Sequence, residues 1–200
     1  MPDAKARLEA AIEAFDSGDK SRKLFDEFIS LIDAGYAEAN YFVACMYEDG
    51  TNGVSKNLEY AYFYYQQSAA EFGSVEGYLA VARFNYWGKG IPKDFDLTHR
   101  YYSHIIELKP PQPYFILMVA YFMLGRMYQY GEGVKKDIEA ARAWYGKSIA
   151  QGSVYGIRYL GNLETQEGNY IKGLYLRTKA FIRFFLIASK NVHDPRLRHG

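Results

Sequence analysis

Three stretches of this chain align on one another in the same order, and that recurrence limits the possible folds more than any other feature. Each begins at a small residue on an apolar segment (Ala44, Ala82, Gly125) and runs into a glycine loop: Gly50-Thr-Asn-Gly-Val54, Gly88-Lys-Gly-Ile91 and Gly131-Glu-Gly-Val134. Three residues later comes Asn57, Asp94 or Asp137, side chains suited to accepting hydrogen bonds from the free amides at a helix start. Ala61, Thr98 and Ala141 follow four residues on, then the aromatic pairs Tyr64-Tyr65, Tyr101-Tyr102 and Trp144-Tyr145. A second set of small residues, Ala39, Gly77, Ala120 and Gly156, recurs at intervals of 38, 43 and 36 residues. The long middle interval contains Pro110-Pro-Gln-Pro113, which predicts a break from Lys109 to Pro113, since three prolines in four residues cannot continue a helix. A period in this range is that of stacked helix pairs, in which small residues let helices approach closely and aromatic side chains fill the next junction.

The order small residue, Leu-Gly-x-x-Tyr, Gly-x-Gly-Val, Asp, Ala-x-x-Trp-Tyr resembles the Sel1-like repeat family, relatives of tetratricopeptide repeats. Residues 120–156 match nearly throughout, at Leu124-Gly125, Tyr128, Gly131-Glu-Gly-Val134, Asp137, Ala141 and Trp144-Tyr145. Residues 35–73 match with one extra loop residue, and residues 74–109 depart at Asn85 and Thr98. The resemblance implies an all-α, right-handed superhelical solenoid of antiparallel helix pairs forming one repeat domain over residues 1–200. Its expected parts are a divergent N-terminal pair at 4–33, repeats at 35–73, 74–109 and 120–152, and a degenerate capping repeat at 153–190. In the last helix, near Tyr170 to Ser189, Leu174, Phe181, Phe184, Phe185 and Leu186 are expected to cover the preceding repeat, with the lysines and arginines facing water. A membrane-surface helix or a dimer interface is the alternative for that element.

Composition narrows the function. The 24 basic and 23 acidic residues nearly cancel, which disfavours nucleic acid as a partner. The balance is uneven, however: residues 1–33 carry a net −3 and residues 158–200 a net +5. A single cysteine precludes an internal disulfide and fits a reducing compartment, and the charged N-terminus reads as neither signal peptide nor membrane anchor. A cytoplasmic, bacterial protein without a transmembrane segment is the expectation, with its oligomeric state open.

No catalytic constellation stands out, so an enzyme is not expected, nor a cofactor. The glycine loops follow helices and lack the Gly-Lys-Ser/Thr ending of a phosphate loop, so they read as turns with positive φ. His99 and His104 are five apart and share no helix face for a metal; His193 and His199 lie in a polar tail. Cys45 has no neighbouring base. The resemblance instead places the first helix of each pair on a concave wall, carrying Tyr41, Cys45, Arg83, Tyr86, Trp87, Phe122, Arg126 and Tyr130. Aromatics beside arginines suit a protein or peptide partner bearing carboxylates. The expected role is therefore a protein–protein interaction module (adaptor, scaffold or regulator). The alternative is an immunity or resistance protein that blocks one toxin or effector.

Overall fold

The computed structural model describes residues 3–109 and 114–197. Ten α-helices are present and no strand occurs among the described residues: α1 (Ala4–Asp16), α2 (Arg22–Asp33), α3 (Ala39–Asp49), α4 (Leu58–Phe72), α5 (Val75–Trp87), α6 (Phe95–Leu108), α7 (Tyr114–Tyr130), α8 (Ile138–Ala150), α9 (Val154–Gln166) and α10 (Tyr170–Ala188). A short 3-10 turn, Pro195–Leu197, follows. The chain separates into two compact units, one up to Lys93 and one from Asp94. The first holds α1–α5 and the second α6–α10.

Local chemistry sets the helix boundaries. Asn57 accepts from the amides of Glu59 and Tyr60 at 3.1 and 3.0 Å, Asp94 from Leu97 at 2.7 Å, and Asp137 from Ala140 at 2.9 Å. Ser74 and Ser153 cap α5 and α9 in the same way, accepting from the amides of Gly77 and Gly156. At the other end, Gly50, Gly88 and Gly131 close α3, α5 and α7 in the left-handed conformation, with φ of 70°, 68° and 75°. The second glycine of each loop serves close approach as well. A Cβ on Gly90 would lie 2.6 Å from Leu58 Cβ, and one on Gly133 would lie 2.6 Å from the Phe95 backbone. Each loop thus rests on the start of the preceding second helix. In the first repeat the extra loop residue, Asn52, is itself left-handed, and its amide donates to the Asp19 and Ser21 carbonyls at 3.1 Å. The insertion pins the turn between α1 and α2.

Within the first unit, Leu24, Phe25, Phe28 and Leu31 of α2 meet Val43 and Met46 of α3, with Phe28 and Phe42 stacked at 4.9 Å. In the second, a Cβ on Gly125 would fall 2.7 Å from the ring of Tyr145, so that tyrosine lies directly on the α7 backbone. The two departures in residues 74–109 are accommodated by hydrogen bonds. Asn85 donates to the Val81 carbonyl at 2.8 Å and the Tyr62 hydroxyl at 3.0 Å, and the Thr98 hydroxyl to the Asp94 carbonyl at 2.6 Å. Of the expected break from Lys109 to Pro113, only Lys109 lies within the described residues; it ends α6 with φ 45°.

The C-terminal helix corrects an expectation. α10 buries Gly173, Ala180 and Ile187, a narrow stripe spaced by sevens. A Cβ on Gly173 would meet the Gly161 carbonyl at 2.7 Å, so the α9 and α10 backbones are in near contact. Small residues, rather than the large apolar ones, make the seam. Leu174, Phe181, Phe184, Phe185 and Leu186, expected to cover α9, are all exposed. Where the backbones meet at Gly161 and Gly173 there is no room for large side chains.

Two sets of variants test the packing. Gly125→Leu and Gly161→Leu should each lower stability by roughly 1–3 kcal/mol, because an added side chain must displace Tyr145 or the α10 backbone. Gly146→Ala, at an exposed site of α8 whose Cβ would meet nothing, should instead raise it by about 0.5–1 kcal/mol. Thermal melts read both; unchanged midpoints for the two leucine variants would refute the close approaches.

Candidate partner-binding site

The eight residues singled out from the sequence fall into two sets, one in each unit. In the first, Tyr41, Cys45 and Arg83 join a single polar network. Arg83 Nη1 and Nη2 donate to Glu48 Oε1 and Oε2 at 2.7 and 2.6 Å, a two-pronged pair. Lys89 Nζ donates to Glu48 Oε1 at 3.0 Å, and the Tyr65 hydroxyl to Oε2 at 2.9 Å. That hydroxyl also lies 3.4 Å from Cys45 Sγ, and the Tyr41 ring is 5.8 Å from the Tyr65 ring. The guanidinium of Arg83 is therefore neutralised within the unit, by a carboxylate of the preceding repeat. Tyr86 is buried, only 2% exposed, and Trp87 stands at the surface with its ring 4.8 Å from that of Tyr86.

Electrostatics in this network follow from burial and charge. Burial alone would raise the Glu48 carboxyl, but the hydrogen bonds and charge of Arg83, with help from Lys89 and Tyr65, hold it down at about 2. Burial pushes the thiol of Cys45 up, against hydrogen bonds from Tyr65 and Tyr41 that act the other way. The phenols of Tyr41 and Tyr65 are likewise raised, mainly by burial. A raised thiol stays protonated at neutral pH and lacks the nucleophilicity of a thiolate. The arrangement clamps α3, α4 and α5 together.

In the second unit, Phe122 is 3% exposed and packs in a core of tyrosines, 5.0 Å from Tyr159 and 6.0 Å from Tyr145. Arg126 lies 6.0 Å from the ring of Tyr130, which is half exposed. The Tyr145 hydroxyl donates to Gln129 at 2.6 Å, and Gln129 in turn donates to Gln166 at 2.9 Å, tying α7 to α8 and α9. Glu164 is buried between Arg142 of α8 and Lys172 of α10, and Asn169 donates to it at 2.9 Å. No group of His, Cys, Asp and Glu among the described residues is placed to hold a metal.

A cleft lies elsewhere in this unit. A groove of about 510 Å³ runs between α9 and α10, walled by Tyr155, Phe181, Phe184 and Phe185 with Arg158 and Arg177 at its sides. Among the described residues neither arginine has a carboxylate partner, in contrast to Arg83. Of these residues Arg158 stands at the repeat position of Tyr41 and Phe122, three before the small residues Gly161, Ala44 and Gly125. The signal that points to the rest is charge: from Gly168 to His193 there are five lysines and arginines and no carboxylate.

Comparison with known proteins agrees with the repeat architecture. Sel1 repeats are recognised at residues 37–71, 75–103 and 119–153. The Sel1 repeat protein from Oxalobacter formigenes superposes with a TM-score of 0.70 at 20% identity, over 98% of this chain and 82% of that one. The protective antigen c5321 of uropathogenic Escherichia coli, with an SLR fold, gives 0.73 at 20% identity, over 99% of this chain and 43% of the antigen. MamA gives 0.62 at 16% identity, over 90% and 96%. No curated protein matches the sequence. These likenesses concern the fold.

Arg83→Ala should destabilise the first unit by roughly 1–3 kcal/mol, because it strips Glu48 of its principal partner while Lys89 remains. The pH dependence has a definite sign. A carboxyl depressed in the folded state contributes stability above its unfolded value and loses it as pH falls through the folded one. The stability difference between the unmodified chain and Glu48→Gln should therefore hold at neutral pH and shrink from about pH 4.5 down to about 2. Denaturant titrations across that window check it; a constant difference would refute the network. Three recurrences of one repeat, built from capped helix pairs with the expected glycine turns, leave a single conclusion about kinship: the chain belongs to the Sel1 repeat family.

Proposed function

We propose that this chain is a protein-interaction module that grips an apolar, carboxylate-bearing segment of a protein partner in the groove between α9 and α10. The supporting observation is the pairing of aromatic walls with two arginines that have no counter-ion among the described residues. Aromatic side chains contribute large contact area at little entropic cost, and arginine binds carboxylates in a two-pronged way. A groove of about 510 Å³ accommodates a few side chains of an extended or helical segment. Family membership supports the same class of role, since Sel1 repeats typically serve protein–protein interaction. Tyr130 with Arg126 and the exposed Trp87 are proposed as secondary contacts; Tyr86 and Phe122 act by shaping the core beneath. A catalytic role is not part of this reading: the buried thiol of Cys45 is held protonated.

An immunity protein that blocks a single toxin would use the same surface with one tight ligand. The immunity protein Pa5087 from Pseudomonas aeruginosa shares the fold at a TM-score of 0.50 and 19% identity, over 92% of this chain and 67% of that one. Binding breadth separates the two roles: several weak partners for an adaptor, one tight partner for immunity.

The test is affinity capture from the source cell with the unmodified chain and with Arg158→Glu plus Phe184→Ala, each checked for an unchanged melting temperature. Proteins retained by the former and lost by the latter are the expected outcome, followed by calorimetric titration of the recovered partner. Equal retention by both would move the site away from α9 and α10.

A further inference from the structure

The outer face of α10 has no counterpart in the packing of the unit. α10 lies against α9 and the terminal 3-10 turn, and its buried stripe is confined to Gly173, Ala180 and Ile187. Around the opposite side run Ile171, Leu174, Tyr175, Ile182, Phe185 and Leu186, each more than half exposed and Ile171 at 89%. Adding Phe181 at the edge, and taking about 200 Å² for a fully exposed large side chain, this face leaves on the order of 900 Å² in water. The largest apolar patch on an ordinary soluble monomer is about 300–600 Å². The described residues after α10, through Leu197, do not cover it. They turn back over the inner side, where Leu197 joins Val154, Ile157, Ala180 and Ile187 and the stem of Arg196 rests near Gly152.

Charge selects the occupant. Between Gly168 and His193 the chain carries Lys172, Arg177, Lys179, Arg183 and Lys190 and no carboxylate. Lys172 is engaged by Glu164, but among the described residues Lys179, Arg183 and Lys190 have no acidic partner. On a helical projection Lys179 and Arg183 lie side by side along one edge of the apolar face. A second copy of this helix laid against the first would bring Lys179, Arg183 and Lys190 of one towards those of the other, with no carboxylate on either helix to neutralise them. Shape points the same way. The depression along this face is walled only by Tyr175, Thr178, Lys179, Ile182, Arg183 and Leu186, all on α10 itself. Such a face is a ridge, and the boundary between headgroups and acyl chains conforms to a ridge. An apolar face rimmed by cations, with tyrosines at one end, is the pattern of helices that lie in an anionic lipid interface.

We infer that the outer face of α10 docks this protein onto an anionic membrane surface, with Ile171, Leu174, Ile182, Phe185 and Leu186 entering the headgroup boundary and Lys179, Arg183 and Lys190 pairing with lipid phosphates. This mode is peripheral, since no helix among the described residues is long and apolar enough to cross a membrane. Apart from Phe181 and Phe185, which stand at the edge shared with the groove proposed above, it uses residues that the groove does not, and it does not depend on that groove having a partner.

Sedimentation of the full chain with large vesicles tests the inference, using phosphatidylcholine alone and phosphatidylcholine with one-third phosphatidylglycerol. Binding is expected at least about tenfold tighter on the anionic vesicles, weakening as salt is raised. Ile182→Glu with Leu186→Glu should abolish it, and Lys179→Glu with Arg183→Glu should erase the preference for anionic lipid, all at unchanged melting temperature. Arg158→Glu, on the groove side, should leave vesicle binding intact, so failure of the groove and failure of the lipid face are separable. Absence of binding to anionic vesicles at low salt would overturn the inference. So would a dimer, seen by light scattering, that the Ile182→Glu and Leu186→Glu pair dissolves, or an acidic protein that displaces the vesicles without itself needing lipid.

Discussion

The close approach of helices at small residues is the constraint on which the structure depends. Where Tyr145 lies flat on Gly125, a single Cβ would intrude to 2.7 Å, and the whole junction would have to open. That contact brings the tyrosine hydroxyl to Gln129, and Gln129 to Gln166, so packing and hydrogen bonding are set together. The same logic gives the loops their glycines: Gly90 and Gly133 are needed because the turn rests on the helix start beneath it as well as for their positive φ. Each repeat is thus registered on its neighbour twice, through its helices and through its turn.

Charge within the units reinforces this registration. Glu48 of α3 draws in Arg83 and Lys89, and Glu164 of α9 draws in Arg142 and Lys172. A half-buried carboxylate is tolerable only with such partners, and removing one is costly because the other remains desolvated. Cations engaged in this way are occupied with folding. The distinction between Arg83, held by Glu48, and Arg158 or Arg177, held by no carboxylate among the described residues, is what separates a structural arginine from a candidate binding one.

The near contact of Gly161 and Gly173 has a further consequence. It brings α9 and α10 so close at that point that large side chains do not fit, while Phe181, Phe184 and Phe185, farther along α10, flank the groove. A junction sealed by glycine and alanine leaves its large side chains to other uses, which is why the basic, aromatic helix is where both the proposed partner groove and the proposed lipid face lie.

Most of the architecture was legible in the sequence, because it is written in local chemistry that repeats. Asn57, Asp94 and Asp137 marked helix starts, Gly50, Gly88 and Gly131 marked helix ends, and Gly125 marked a close contact, each through an interaction reaching a few residues or one neighbouring helix. The candidate surface was less legible. Position in the repeat brought Arg83 and Arg126 into correspondence, yet only the fold shows that Glu48, 35 residues away, claims the first. The sequence likewise marked α10 as amphipathic and put its cations in water, but it placed the large apolar residues against α9, where Gly173, Ala180 and Ile187 stand instead. Which side of a helix is buried depends on how near the next backbone comes, and that distance is decided by the glycine pair across the junction, a relation between two helices that neither one's periodicity contains.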